Sequence, residues 1–523
     1  MYNQNFLNKK GLLTLSDSRS IKSVRNIITA NATKLLSFVL TFVSRTVFIR
    51  VFGAEMLGLN GLFANVLSIL SLADLGFSTA MTYSYYKPIA ENDKKKIAAL
   101  NHFYKKVYCI IAVAIAVVGL ALIPFLKLII NLENEIDNLY IYYLITLANT
   151  VVSYLFVYKT TVLGAYQETY IVTKYSMIMS TISTVTQIIL MLLFKNYIVY
   201  LSVAVFFTFI NNVYVSHVAD KRYPFIKEPG ELDKKEKKTI FSNLKSIFLY
   251  KLSSVLMNST DNIIISKIVG TVVVGYYSNY LTVINFINSF ISSLFYSLTA
   301  SIGNLMVQER EEKQYRIFKD VQVISAWSCM VVSSCVYVLI NRFIALWIGD
   351  EFVMNNLTVI AIAINFFLSC LLYPIWIFRE AAGIYLKTKY IMVVCALLNI
   401  VLSIIMGKFL GVAGILFASA ISKLLTYIWY EPIILFKNFF KKSPAKFFAS
   451  AIAISVLTVA VSVLLSYIDS KIAISGIGGF ILSAVACFAA SNIIYFLVYG
   501  RNEYFIDVSK RIVNLLKGLI RKH

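Results

Sequence analysis

The chain has 523 residues, 59% of them hydrophobic and only 14% charged, with a mean hydropathy of +0.75 and a formal net charge of +23. A water-soluble domain carries about 25% charged and about 45–50% apolar residues, so an ordinary soluble protein is excluded. The apolar residues recur along the whole chain in runs of about 20, the length that crosses the hydrocarbon of a bilayer.

Residues 1–25 are polar and hold Lys9, Lys10, Arg19, Lys22 and Arg25. They predict a cytoplasmic N-terminal segment with no cleavable signal, because the first apolar run begins only near Asn26 and is too long for a signal core. About fourteen spans then follow, with cores near 26–51, 57–81, 103–126, 139–163, 171–194, 197–217, 246–268, 275–305, 320–341, 357–378, 390–407, 411–435, 446–468 and 475–499. The charged stretch 218–245, with KEPGELDKKEKK, separates the sixth span from the seventh. From Tyr504 onward, Val508, Ile512, Leu515 and Leu519 share one helical face and Lys510, Asn514, Lys517 and Arg521 the other, which predicts an interfacial amphipathic tail.

Charge orients these spans. With the N-terminus inside, 37 of the 49 lysines and arginines fall in inside segments and 7 in outside loops or span ends, leaving 5 within spans. This asymmetry places both termini in the cytoplasm. It also accounts for the net positive charge, which faces anionic lipid. Nucleic acid is a poor partner, since the basic residues are dispersed among short loops without a binding motif.

The two halves resemble each other. RTVFIRVFGAEMLG (Arg45–Gly58) aligns with NIIISKIVGTVVVG (Asn262–Gly275) at an offset of 217, matching Gly53 to Gly270, Gly58 to Gly275, Arg50 to Lys267 and Lys34 to Lys251. Thr173-Lys174-Tyr175 aligns with Thr388-Lys389-Tyr390 at an offset of 215. Six spans precede the second copy, so the repeat is parallel, the arrangement in which two lobes rock about a central site. The expected organisation is an N-lobe at 26–217, a cytoplasmic linker at 218–245, a C-lobe at 246–437, two extra spans at 438–500 and a tail at 501–523. The fold class is an all-α polytopic membrane protein with two pseudo-symmetric six-helix lobes.

Ionisable residues deep in a membrane cost about 2.5–3.5 kcal/mol on translocon scales, so they face a cavity or a partner. Seven lie well inside the spans: Lys34, Arg45, Asp74, Lys159, Lys251, Asp261 and Lys423. Lys34 and Arg45 are about three helical turns apart and share a face, with Lys251 as the repeat counterpart of Lys34. A cationic cavity between the lobes suits an anionic substrate such as a pyrophosphate. The alternative is an ion pair that locks helices together, with Asp74 opposite Lys34. Asp74 and Asp261 are the two deep acids and hence the candidates for coupling to H+ or Na+ or for ion pairing; without such a role the membrane potential remains as a drive. Lys159 and Lys423 lie near span ends and are expected to snorkel. Polar stripes that include Asn65 and Ser68 in span two, and Asn285, Asn288 and Ser292 in span eight, either contact sugar hydroxyls or let helices pack.

Enzyme signatures are lacking. The chain has no Walker motif, no GxSxG and no paired catalytic carboxylates. Gly476–Gly479 opens a span and follows no strand. The six cysteines form no CxxC pair, and the three histidines are scattered, so neither a metal site nor a cofactor is expected.

The stretch FGAEMLGLNGLFANVLSILSLADLGFSTAMTYSYYKPIAENDKKKI (Phe52–Ile97) resembles the start of bacterial polysaccharide flippases, the O-antigen and capsule repeat-unit exporters of the multidrug/oligosaccharidyl-lipid/polysaccharide superfamily. Gly53, Leu57, Gly58, Leu59, Gly61, Leu62, Phe63, Leu72, Ala73, Leu75 and Gly76 carry the pattern. The resemblance implies two six-helix lobes around a V-shaped cavity in the bacterial cytoplasmic (inner) membrane. It also implies flipping of an undecaprenyl-pyrophosphate-linked oligosaccharide, with polysaccharide polymerase machinery as a further partner beside membrane lipids. Related lipid II flippases use cavity cations on the first helix of each lobe, and Lys34, Arg45 and Lys251 occupy comparable positions. The last two spans resemble that family's extra pair, which forms a groove for the lipid tail. Two rivals stand beside this reading. A multidrug exporter of the superfamily normally has twelve spans and several coupling carboxylates. A membrane polysaccharide polymerase wants a large external loop, whereas the longest here are roughly fifteen residues.

The topology is testable by labelling single cysteines in a background free of native ones. Cysteines at Asn134 and Asp469 should react with an impermeant thiol reagent added outside intact cells, and cysteines at Glu91, Lys235 and Lys442 should not. Reaction at position 235 would overturn the orientation.

Overall fold

The computed structural model describes residues 4–71, 77–131, 136–299, 302–303, 310–382, 384–472, 474 and 476–520. The side chains of residues 4–34, 77–80, 241–251 and 512–520, and of a few single helical positions, lie outside that description. Among the described residues every regular element is helical. In the first half these are α1 (Gln4–Leu70), α2 (Phe77–Ala90), α3 (Lys94–Ala121), the single turn α4 (Leu126–Ile129), α5 (Leu139–Tyr154), α6 (Val157–Ala165), α7 (Thr169–Phe194) and α8 (Tyr197–Arg222). Next come α9 (Lys234–Ile268), α10 (Thr271–Tyr296), α11 (Glu311–Trp327), α12 (Ser333–Ile348), α13 (Asn356–Ala381) and α14 (Tyr385–Leu425). The chain ends with α15 (Tyr427–Leu435), α16 (Ala445–Lys471), α17 (Gly476–Tyr499) and α18 (Glu503–Ile520).

Nine described helical segments are long and apolar enough to cross a membrane, or ten if the bent pair Leu139–Tyr154 and Val157–Ala165 is one span. The chain is therefore a multi-pass membrane protein. The expected fourteen spans do not emerge as fourteen separate helices, because some long segments contain breaks. Leu35–Leu70 turns at Gly53 and Tyr390–Phe440 at Gly411, both with positive φ.

The two glycines matched by the internal repeat have the same role. Gly53 breaks α1 at φ 82°, ψ 176°, and Gly270 separates α9 from α10 at φ 133°, ψ 154°. These angles belong to a region that is essentially closed to any residue with a Cβ. The chain turns there because glycine alone permits it, and the turn falls at equivalent places in the two repeats.

The chain divides into two compact units, residues 1–255 and 256–523, with the division inside α9. In the first unit α1 packs on α7, α7 on α8 and α5 on α8. Its core is strongly aromatic, with Phe63, Tyr85, Tyr104, Tyr108 and Tyr143 wholly buried. Two of these phenols are paired: Tyr143 donates to the Gly119 carbonyl at 3.0 Å and Tyr104 shares a 2.7 Å bond with Ser84. Lys159, expected to snorkel, instead bonds Asp220 at 2.7 Å with both side chains largely buried. The pair forms because α6 and α8 pack together, which span position alone does not reveal.

In the second unit α13 packs on α11, α12 and α14, while α16 and α17 pack on α12. Hydroxyls stitch these helices at close range. Ser325 donates to the Cys370 carbonyl at 2.7 Å, Ser462 donates to Ser334 at 3.1 Å, and Ser334 donates to the Thr458 carbonyl at 3.3 Å. Small polar residues at contacts are the usual means of joining helices in lipid, where burial of apolar surface offers no drive. Also on α16, Ile452, Val456, Val459 and Val463 are each about two-thirds exposed, as residues open to lipid are. Arg342 ties the loop between α16 and α17 to α12, donating to Asp469 at 2.7 Å, Ser483 at 2.6 Å and the Ile474 carbonyl at 2.6 Å. The tail helix α18 forms as expected and is held on α11 by Arg316–Asp507 and Arg511–Asp320.

Gly53→Ala and Gly270→Ala should each destabilise the protein by about 1–3 kcal/mol, the cost of forcing a Cβ into this backbone region. At both positions the space a Cβ would fill has no other atom within 4 Å, so the cost is conformational and not steric. Gly61→Ala, on a helical turn with equal space, should be neutral or stabilising. Thermal unfolding in detergent compares the three.

Candidate functional site

A cavity of about 210 Å3 opens inside the second unit. Four helices line it, each through one face. Met257 and Asp261 come from α9, Tyr277, Leu281, Ile284 and Asn288 from α10, Ile362, Asn365 and Ser369 from α13, and Leu416, Ser419 and Lys423 from α14. Within each helix these positions are three or four apart, the spacing that stacks side chains on one side.

Two hydrogen-bonded chains meet in the cavity. Asn399, wholly buried, donates to Ser419 at 2.8 Å, and Ser419 donates to Asp261 Oδ2 at 3.0 Å. From the other side Lys423 Nζ donates to Asn365 Oδ1 at 2.9 Å, and Asn365 Nδ2 donates to the Leu416 carbonyl at 2.8 Å. Asp261 and Lys423 thus share one cavity, each held by a neutral partner and within electrostatic reach of the other. Asp261 Oδ1 is buried with no hydrogen-bond partner among the described residues, as are Asn262 Oδ1 and Asn399 Oδ1. Buried acceptors are normally satisfied, so this constellation offers a proton, a cation or a hydroxyl a place to bind.

The sequence-derived candidates divide by location. Asp261, Asn285 and Asn288 line the cavity. Asn288 also accepts from the Tyr373 phenol at 2.6 Å. Ser292 lies one turn further along α10 and donates to the Ser289 carbonyl at 3.2 Å. In the first unit Arg45 is half-buried on α1, within electrostatic reach of Tyr200 and close to the cluster of Phe48, Phe52, Tyr197 and Tyr200. Asn65 donates to the Gly61 carbonyl of its own helix at 2.7 Å, and Ser68 is half-buried on the same helix. The side chains of Lys34 and Lys251, and the whole of Asp74, lie outside the described residues.

Lys423 is the main departure from expectation. It does not snorkel but turns into the cavity, because α14 presents Leu416, Ser419 and Lys423 to α13 and α9. Asn365 was not singled out by sequence reasoning either. The available signal was a polar residue at i and i+4 within an apolar span, as in Asn365 and Ser369. Among the described residues no group of acids, histidines and cysteines could hold a metal ion.

A second, apolar groove of about 420 Å3 lies between α12, α13, α14 and α16. Tyr337, Ile364, Phe367, Leu424, Val459 and Val463 line it.

The protein is thus a helical membrane protein with a polar, charge-bearing cavity among its helices. The family model described as polysaccharide biosynthesis protein matches residues 23–300, more than half of the chain. The chain belongs to that family. Its fold is similar to that of a lipid II flippase, MurJ, in the inward closed conformation, with a TM-score of 0.66 at 16% identity, covering 91% of this chain and 100% of that one. It is also similar to an inward-facing multidrug resistance MATE family transporter of the MOP superfamily, with a TM-score of 0.61 at 14% identity, covering 80% of this chain and 95% of that one. The Vibrio cholerae MATE transporter VcmN in its bent form gives 0.51 at 14% identity, covering 81% of this chain and 98% of that one. These solved structures are transporters or flippases and not enzymes. No curated protein sequence matches the chain.

The Asp261 and Lys423 charges should depend on one another for stability. Removing one of two buried opposite charges costs about 3–5 kcal/mol, because the survivor is left uncompensated. Lys423→Met should therefore lower the thermal unfolding temperature markedly, and Asp261→Asn/Lys423→Met should recover most of the loss. A double variant no more stable than the Lys423→Met protein would show that the two charges are not coupled.

Proposed function

We propose that the protein flips an undecaprenyl-pyrophosphate-linked oligosaccharide repeat unit from the cytoplasmic to the outer leaflet of the bacterial cytoplasmic membrane, for cell-surface polysaccharide such as O-antigen or capsule. The observation that carries this reading is membership in the polysaccharide biosynthesis family. A multidrug exporter is the competing reading. The flippase-like fold covers 91% of the chain against 80% for the first of the drug transporters, which favours the flippase. The basic inside segments support an orientation with both termini in the cytoplasm.

In this reading Lys34, Arg45 and Lys251 hold the pyrophosphate. The cavity amides of Asn285 and Asn288 contact sugar hydroxyls, with Asn65, Ser68 and Ser292 as further polar contacts. Asp261 is the coupling group for H+ or Na+, since its unsatisfied oxygen accepts a cation without any rearrangement of Ser419. The prenyl chain lies along the apolar groove of Phe367 and Val459, which matches its chemistry. Polymerase machinery on the outer side would consume the product.

Flux of labelled lipid-linked oligosaccharide into proteoliposomes tests the proposal. A charge-assisted phosphate contact is worth roughly 1.5–3 kcal/mol, so Lys34→Gln, Arg45→Gln and Lys251→Gln should each weaken substrate binding about ten- to a hundredfold. Full rescue of Lys34→Gln by Asp74→Asn at matched protein levels would reassign Lys34 to a structural pair. Asp261→Asn should abolish the pH or sodium dependence of flux. If Asp261→Asn and Asp74→Asn both leave that dependence intact, the membrane potential is the drive. Export of organic cations with no flux of the lipid-linked sugar would replace the flippase reading with the multidrug one.

A further inference from the structure

A third cavity, of about 270 Å3, lies at the end of the second unit where basic residues concentrate. It shares no residue with the Asp261 cavity. Tyr315 and Lys319 of α11, Lys446 and Ser450 of α16, and Asn502 and Tyr504 at the start of α18 line it.

Its charges are not balanced from within. Lys319 and Lys446 are close enough to repel each other. The partner of Lys319 is neutral, with Nζ donating to Gln322 Oε1 at 2.8 Å. Of the nearby carboxylates, Glu311 pairs with Lys441, Asp320 with Arg511 and Asp507 with Arg316, while Glu503 lies against the Tyr504 side chain and pairs with neither Lys319 nor Lys446. A third cation, Lys442, stands 4.4 Å from the centroid of the Tyr315 ring. Lys446 also sits in the first turn of the 27-residue α16, where the helix dipole favours an anion. Asn502 spends its carbonyl oxygen on the Tyr504 N–H at 3.0 Å, which leaves its amide N–H groups to donate into the cavity. An anion between the half-buried Lys319 and the exposed Lys446 would relieve their mutual repulsion.

We infer that this cavity binds a phosphate group between Lys319 and Lys446, drawn either from an anionic phospholipid headgroup or from a soluble phosphate. The hydroxyls of Ser450 and Tyr315 and the Asn502 amide supply the neutral donors that a phosphate's remaining oxygens need. Basic pockets between membrane helices on the cytoplasmic side are suited to lipid phosphates. The leaflet rests on the orientation proposed above, whereas the binding itself does not. Because the tail helix α18 begins at this cavity, an occupant would also brace α18 against α11 and α16.

The test uses the full chain, purified in detergent and free of lipid-linked sugar. It is titrated with palmitoyl-oleoyl phosphatidylglycerol, with phosphatidylcholine of the same acyl chains, and with inorganic phosphate at constant ionic strength, following thermal unfolding. Phosphatidylglycerol or phosphate should raise the unfolding temperature saturably, and phosphatidylcholine should do less. A response to phosphatidylglycerol alone identifies the lipid headgroup, and a response to inorganic phosphate identifies the soluble anion. Lys319→Gln/Lys446→Gln should weaken the half-saturating concentration at least tenfold, while Lys319→Arg/Lys446→Arg and the control Lys105→Gln/Lys106→Gln, an exposed pair on α3, should titrate like the parent. If the double Gln variant fails to fold, Lys446→Gln alone carries the same expectation, since that side chain is exposed. No response to either phosphate-bearing probe, or equal titration of the parent and Gln variants, would overturn the assignment. Loss of binding here with sugar flux intact would separate this site from the transport function.

Discussion

Inside hydrocarbon no water is available to an unpaired N–H or C=O, so each crossing must satisfy its own backbone as a helix. This constraint governs where the chain can turn and what its polar side chains do. Turns fall where glycine allows a backbone that other residues resist, at Gly53 and Gly270. Many hydroxyls and amides simply bond a carbonyl one turn back on the same helix. Thr46 bonds the Phe42 carbonyl, Thr146 that of Tyr142, Ser369 that of Asn365, and Asn65 that of Gly61. A polar residue in a span is therefore not by itself a sign of a site, because its own helix can satisfy it.

Charge is held to a stricter standard, and the described charges meet it in two ways. Lys159 with Asp220, Arg342 with Asp469 and Arg379 with Glu431 are direct ion pairs, and the last pair is almost fully buried. Such pairs lock neighbouring helices in register. Asp261 and Lys423 behave differently. Each is held by a neutral side chain, they share an open cavity, and the carboxylate keeps one oxygen uncommitted. A carboxylate so placed differs from one committed to a direct ion pair.

The same helical scaffold serves drug transport and lipid flipping in the proteins this chain is similar to. Scaffold alone therefore cannot carry specificity. Specificity falls to the surfaces that line the cavities: amides and hydroxyls around Asp261, and an apolar groove bordered by Phe367 and Val459. One of these surfaces is polar and the other apolar.

The membrane class, the helical fold and the register of the internal repeat were legible in the amino-acid sequence. Run length, hydropathy and glycine position are local quantities, and the bilayer converts them directly into helices and turns. The acid Asp261 and the amides Asn285 and Asn288 stand out against an apolar span because they are ionisable or amide groups, and all three line the cavity. Lys423, Asn365, Ser419 and the Lys159–Asp220 pair belong to another category. Their roles depend on which face of one helix meets which face of another, residues 58 to 158 positions apart in the chain. No local pattern encodes such a meeting. The tertiary structure decided it, by packing α9, α10, α13 and α14 around a space that none of them outlines alone.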